Sequence, residues 1–166
     1  MKQTYRVVSG LVALGVLVQA GAIAAGWFTA LHDVDKGLVI DKNYDGNAFH
    51  SIHGFVGFNV MPLLGLILLI VSFFAAKQVP GARKWAGIVF GLIVLQVVLA
   101  FVAFGAPIVG ALHGLNALAI FATAGRASML TREARTARRE SVGGAASVPS
   151  QSVGSSAPEA SRPVGS

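Results

Sequence analysis

Cysteine is absent from the 166 residues. That removes disulfide frameworks, thiol redox chemistry, Cys-ligated zinc and iron–sulfur clusters, and with them any quinone-linked disulfide generator. Charge is also scarce: 12% of residues are charged against 54% hydrophobic, and the mean hydropathy is +0.69, a balance that ordinary soluble domains do not show. No Asp, Glu, Lys or Arg falls inside any of the long apolar runs. This argues against an ion pump or a proton relay built on carboxylates. No phosphate-cradling glycine loop follows a strand, and no Ser/His/Asp set is apparent.

What is present is a series of apolar runs at about 7–31, 52–76, 85–105 and 107–124. Each is near the ~20 residues needed to cross ~30 Å of hydrocarbon, so each reads as a spanning helix and the bilayer is the first partner. The first run has a basic start (Lys2, Arg6) and small residues at Ala22, Ala24 and Ala25, as a signal peptide would, but it continues to Phe28 and outlasts a signal core. Thirteen residues are Lys or Arg, and all but Lys36 and Lys42 lie at the N-terminus, in the middle loop (Lys77, Arg83, Lys84) or in the C-terminal region from Arg126 onward. Basic loops stay in the cytoplasm. The fold expected is therefore all-α: a four-helix transmembrane bundle of up-down topology occupying residues 1–130, with both termini cytoplasmic, in a bacterial plasma membrane. The net charge of +6 belongs to this topology rather than to nucleic-acid binding. Residues 131–166 read as a basic helix extension at the lipid surface followed, from about Ser141, by a disordered tail. Pro62 predicts a kink in the second helix, while Pro107 sits where a first-turn proline is harmless. Gly54 with Gly57, and Gly87 with Gly91, are at helical spacing and permit close approach of helices or of a flat ligand.

His53 opens the second span and His113 the fourth. Both lie within about two turns of the outer end, and in an up-down bundle their helices are diagonal neighbours. Two imidazoles at matched depth across a bundle suit the axial positions of a haem b. Gly54 and Gly57, and Gly110 and Gly114, would let the macrocycle edge approach, and Asn116 lies one turn beyond His113. Phe49, Phe55, Phe58 and Phe104 would supply an apolar wall. His50, one turn nearer the water than His53, would contact a propionate, orient His53 or cap the helix. Beside this stand two blander readings: interfacial histidines in a structural or assembly subunit, and a copper or zinc site built from His32, His50, His53 and His113. The stretch Asp41-Lys42-Asn43-Tyr44-Asp45-Gly46-Asn47 opens like a calcium loop, but Ile52 stands where the bidentate Glu belongs, so an Asx-rich turn is the better reading.

Leu95-Gln96 through Ile108, followed by Ala111-Leu112-His113 and Ala117, resembles the third and fourth helices of one half of haem A synthase, and His50-Ser51-Ile52-His53 resembles its second-helix motif. The likeness covers residues 7–124 and is shared by small four-helix membrane proteins of actinobacterial type, whose Ala-, Gly- and Val-rich composition agrees. It implies that His53 and His113 are a pair of axial ligands. His50 replaces the motif glutamate of that enzyme and Gly54 the arginine that follows the ligand, so it implies haem binding, as in a cytochrome b-like electron carrier or haem handler, without the synthase reaction. A single half further implies a homodimer or another membrane redox protein as partner.

Overall fold

The computed structural model describes residues 1–146. Among the described residues there are four helices: α1 (Lys2–Val34), α2 (Ala48–Ala75), α3 (Ala82–Gly105) and α4 (Val109–Ala146). The first three are long and apolar enough to cross a membrane. The fourth is less apolar because His113, Asn116 and Arg126 fall in its first half. Helix α4 also continues through Ala146, past the point where the sequence predicts disorder; the rest of that expected tail lies outside the described residues.

Contacts run α1–α2, α2–α3, α3–α4 and α4–α1, which makes α2 and α4 diagonal. Small and β-branched side chains fill the centre: Val12, Leu68, Ala75, Ala86, Val89, Ile93, Ile120 and Ala124 are almost wholly buried. Large apolar side chains instead face outward, among them Phe28, Leu63, Phe73, Val98 and Phe101. That distribution suits a lipid solvent, where helices associate through close packing and interhelical hydrogen bonds rather than through hydrophobic burial. The glycines at close contacts are not Gly87 and Gly91, which have open space around them, but Gly15, Gly26, Gly57 and Gly65. A methyl on Gly65 would lie 2.8 Å from Ile93 Cδ1, where α2 meets α3.

Both ends of the bundle are tied by polar side chains. Tyr5, fully buried at the start of α1, donates through its hydroxyl to the Ala82 carbonyl at the start of α3, at 3.1 Å. At the other end Asn47 caps α2 by accepting from the backbone of Phe49 (3.1 Å) and His50 (3.3 Å), and it donates to the Gly26 carbonyl of α1 at 2.8 Å. The loop before it contains the expected Asx turn, in which the Asp41 carboxylate accepts from the Asn43 backbone at 2.8 Å.

Helix α2 is not uniform. Residues Val56–Val60 form a π-helical turn, and regular α-helix resumes at Met61 with Pro62 in its first turn. Proline lacks a donor and its ring presses on the carbonyl four residues back, here that of Phe58. Widening the turn by one residue is how the chain accommodates it. The sequence predicts a distortion at Pro62; its form is an inserted residue just upstream.

Candidate functional site

His53 on α2 and His113 on α4 face one another across the bundle, with ring centroids 6.4 Å apart and ring planes inclined at 58°. Each ring is anchored by the preceding helix of its own hairpin. The Nδ1 atom of His53 is 3.0 Å from the Gln19 carbonyl, and that of His113 is 3.1 Å from the Gln96 carbonyl. A carbonyl can only accept, so Nδ1 carries the proton in both rings and Nε2 keeps its lone pair. The same glutamines reach back with their side chains: Gln19 Nε2 donates to the His53 carbonyl and Gln96 Nε2 to the His113 carbonyl, each at 3.0 Å. The α1–α2 and α3–α4 hairpins thus repeat one device. The repeat extends to Val16 and Ile93, three residues before each glutamine, and to Gly57 and Ala117, four residues after each histidine, all of which line the space between the rings. It extends also to Met61 and Ile120, eight residues after one histidine and seven after the other, with the π turn of α2 absorbing the odd residue.

The space is a cleft of about 550 Å³, counting its open mouth, with almost wholly apolar walls, completed by Gly54, Phe58, Val97 and Ala100. Two imidazoles trans on one iron, each nitrogen ~2.0 Å from the metal and each centroid ~1.2 Å behind its nitrogen, have centroids about 6.4 Å apart. A direct ring-to-ring N–H···N bond of ~3.0 Å would draw the centroids in to about 5.4 Å. The observed spacing exceeds the latter, so the two rings are not bonded to each other, and nothing lies within 4 Å of the position a Gly54 side chain would take. The donor set and the cleft fit a bis-imidazole haem.

The other residues expected at the site are distributed differently. Gly57 lines the cleft, where a methyl would meet Gln19 Nε2 at 2.8 Å. Gly110 and Gly114 do not line it: Gly110 lies in the first turn of α4, and Gly114, about 100° round the helix from His113, is exposed. Asn116 is buried behind the cleft, where it donates to Gln96 Oε1 at 2.6 Å and to the Leu92 carbonyl at 2.9 Å. It holds the glutamine that holds His113. Of the four phenylalanines only Phe58 reaches the cleft, packed on Phe101 at 5.2 Å; Phe49, Phe55 and Phe104 point outward.

His50 turns away from the pair. Its Nδ1 accepts from the Asn47 backbone at 3.3 Å to complete a capping box, and its ring stands edge-on to Trp27 at 5.0 Å. It fills the histidine slot of the helix cap. His32 is exposed in the last turn of α1. The four-histidine copper or zinc site is therefore not assembled, and among the described residues no group of three or more His, Cys, Asp or Glu side chains is gathered to hold a metal ion.

Gln19 as a site residue is absent from the sequence reading, and Gln96 enters it only as part of a motif. Their signal was available: each is a lone amide in an otherwise apolar span. Comparison of the chain with protein-family models, with curated proteins and with solved structures returns no match.

Proposed function

We propose that this chain is a four-span membrane protein of up-down topology with both termini cytoplasmic, in a bacterial plasma membrane, and that it holds one haem b between His53 and His113. The observation that carries this reading is the pair of imidazoles 6.4 Å apart, each fixed through Nδ1 to a backbone carbonyl. His53 and His113 would hold the haem, which would supply one-electron chemistry there, and this suits electron transfer or haem handling rather than catalysis at the metal. The Gln19 and Gln96 carbonyls set ring orientation and tautomer, and their hydrogen bonds raise the basicity of Nε2. The side-chain amides of the same glutamines restrain the two helix backbones at the ligand positions. Val16, Ile93, Val97 and Ala117 exclude water from the cleft. The likeness to one half of haem A synthase agrees with this reading, and a second copy or another membrane redox protein would complete an electron path.

The test is the visible spectrum of purified protein after haem supplementation. The expected result is a Soret band that shifts on reduction with dithionite and is lost in both His53→Ala and His113→Ala, while His50→Ala and His32→Ala retain it. A colourless wild-type preparation that keeps its helicity would overturn the proposal in favour of a structural or assembly subunit.

A further inference from the structure

At the end of the bundle that carries the first turns of α1 and the α2–α3 connection, a groove of about 1370 Å³, counting its open mouth, lies between α1 and α4. Four cationic side chains line it, Lys2 and Arg6 from α1 and Arg132 and Arg135 from α4, and Met1 also lines it. Arg6, Arg132 and Arg135 are exposed, and among the described residues none of the four is in a salt bridge. The nearest acid along α4, Glu133, is engaged by Arg126. Its carboxylate keeps the Arg126 guanidinium charged by raising its pKa further above the usual arginine value. Every aspartate of the chain, at 33, 35, 41 and 45, lies in or beside the loop at the opposite end. Donors without charge complete the lining, with Gln78 from the α2–α3 connection and Thr136 from α4. The first turn of α1 has no side-chain cap, so its free N–H groups add positive potential at the same place.

Depth supplies the second line of argument. Trp85 sits at this end, half-buried, with the Arg126 guanidinium 5.9 Å from its ring centroid. Tryptophan and arginine together mark the level where acyl chains give way to headgroups, and Arg132 lies less than two turns further along α4. The groove therefore opens at the level of lipid phosphates, at the edge of a bundle whose outer faces are apolar.

We propose that this groove is a binding site for an anionic phospholipid, with Arg6, Arg132 and Arg135 on the headgroup phosphate, Lys2 at the rim, and the acyl chains along the α1–α4 seam. It depends on the membrane reading of the helices but not on haem, and it stands or falls independently of the spectrum described above.

The experiment places the purified full chain in nanodiscs of phosphatidylcholine with a minor share of phosphatidylglycerol, and counts retained phosphatidylglycerol by native mass spectrometry. The wild-type chain is expected to retain it selectively. The variant Arg6→Ala/Arg132→Ala/Arg135→Ala should weaken retention on the order of a hundredfold, each basic group near an anionic headgroup contributing about fivefold. Lys77→Ala/Arg83→Ala/Lys84→Ala removes equal charge from the α2–α3 connection and the first turn of α3, outside the groove, and should leave retention within about twofold of wild type. If the triple groove variant loses helicity, the single exposed change Arg135→Gln serves, with about a fivefold loss expected. Equal losses in the groove and control variants would overturn the proposal, because charge alone would then account for the binding. So would complete displacement of the lipid by millimolar inorganic phosphate, which would assign the groove to a free anion.

Discussion

The two glutamine clamps are alike in outline and unequal in satisfaction, which makes their removal a sharp test. Gln96 makes two interhelical side-chain bonds, donating to the His113 carbonyl and accepting from Asn116. Gln19 makes one, to the His53 carbonyl, and its Oε1 is buried without a partner. Replacing either by leucine keeps the bulk and removes the polar atoms. An interhelical hydrogen bond within a membrane contributes about 0.6 kcal/mol on average. Gln96→Leu should thus lose ~1.2 kcal/mol from the two bonds, and somewhat more because Asn116 Nδ2 keeps only the Leu92 carbonyl. Gln19→Leu forfeits ~0.6 kcal/mol but relieves an unsatisfied acceptor whose burial costs about 1 kcal/mol or more. Its net effect should lie near zero or be slightly stabilising. Unfolding of the purified protein in mixed micelles of rising SDS fraction, followed by far-UV circular dichroism, reads the difference, expected to be about 1.5 kcal/mol. Neither change touches the backbone carbonyls that hold the rings, so both variants should retain the haem spectrum. Equal destabilisation by the two, or greater destabilisation by Gln19→Leu, would refute the reasoning.

Other consequences are as direct. Gly65→Ala should destabilise by about 1–3 kcal/mol in the same assay, since a methyl 2.8 Å from Ile93 Cδ1 overpacks the α2–α3 contact. Gly87→Ala, with open space around it, should be neutral or stabilising by up to ~1 kcal/mol through helix propensity. Asn47→Ala removes the α2 cap and the bond to the Gly26 carbonyl, so a loss of about 1–2 kcal/mol is expected, with faster amide exchange confined to the first turn of α2. Tyr5→Phe deletes one buried hydrogen bond to the Ala82 carbonyl and should lower stability by about 1 kcal/mol without altering the visible spectrum.

The helices were legible in the sequence because lipid imposes long apolar runs, and each of the four expected runs coincides with an observed helix, the second overrunning its C-terminal end by one residue and the fourth starting two residues early. Their ends were less legible: α2 begins at Ala48, four residues before the apolar run, because Asn47 and His50 make a cap that hydropathy does not register. The pairing of His53 with His113 followed from depth and diagonal placement, and the rings do meet. Which neighbours line the cleft did not follow. Gly114 and Asn116 adjoin His113 in sequence, but helical rotation sends one outward and the other behind the cleft, while Gln19, distant in sequence, arrives from α1. His50 shares a helix face with His53 by spacing alone, and the cap and the indole of Trp27 turn its ring elsewhere.

The π turn of α2 bears on how the site and the core coexist. Eight residues separate His53 from Met61, which in a regular α-helix would leave the two about 80° apart; with one residue absorbed, they fall within ~20°. His53 therefore stands on the same stripe as Met61, Gly65 and Leu68 because the π turn absorbs the eighth residue. Straightening the turn into regular α-helix with its length unchanged would swing the imidazole about 80° round the helix axis. Deleting one residue would instead let the helix run regularly and return the ring to the stripe, as the seven residues from His113 to Ile120 do in α4. The widened turn upstream of Pro62 thus keeps the two parts of α2 in a single register, so that the histidine and the packing stripe share one face of the helix.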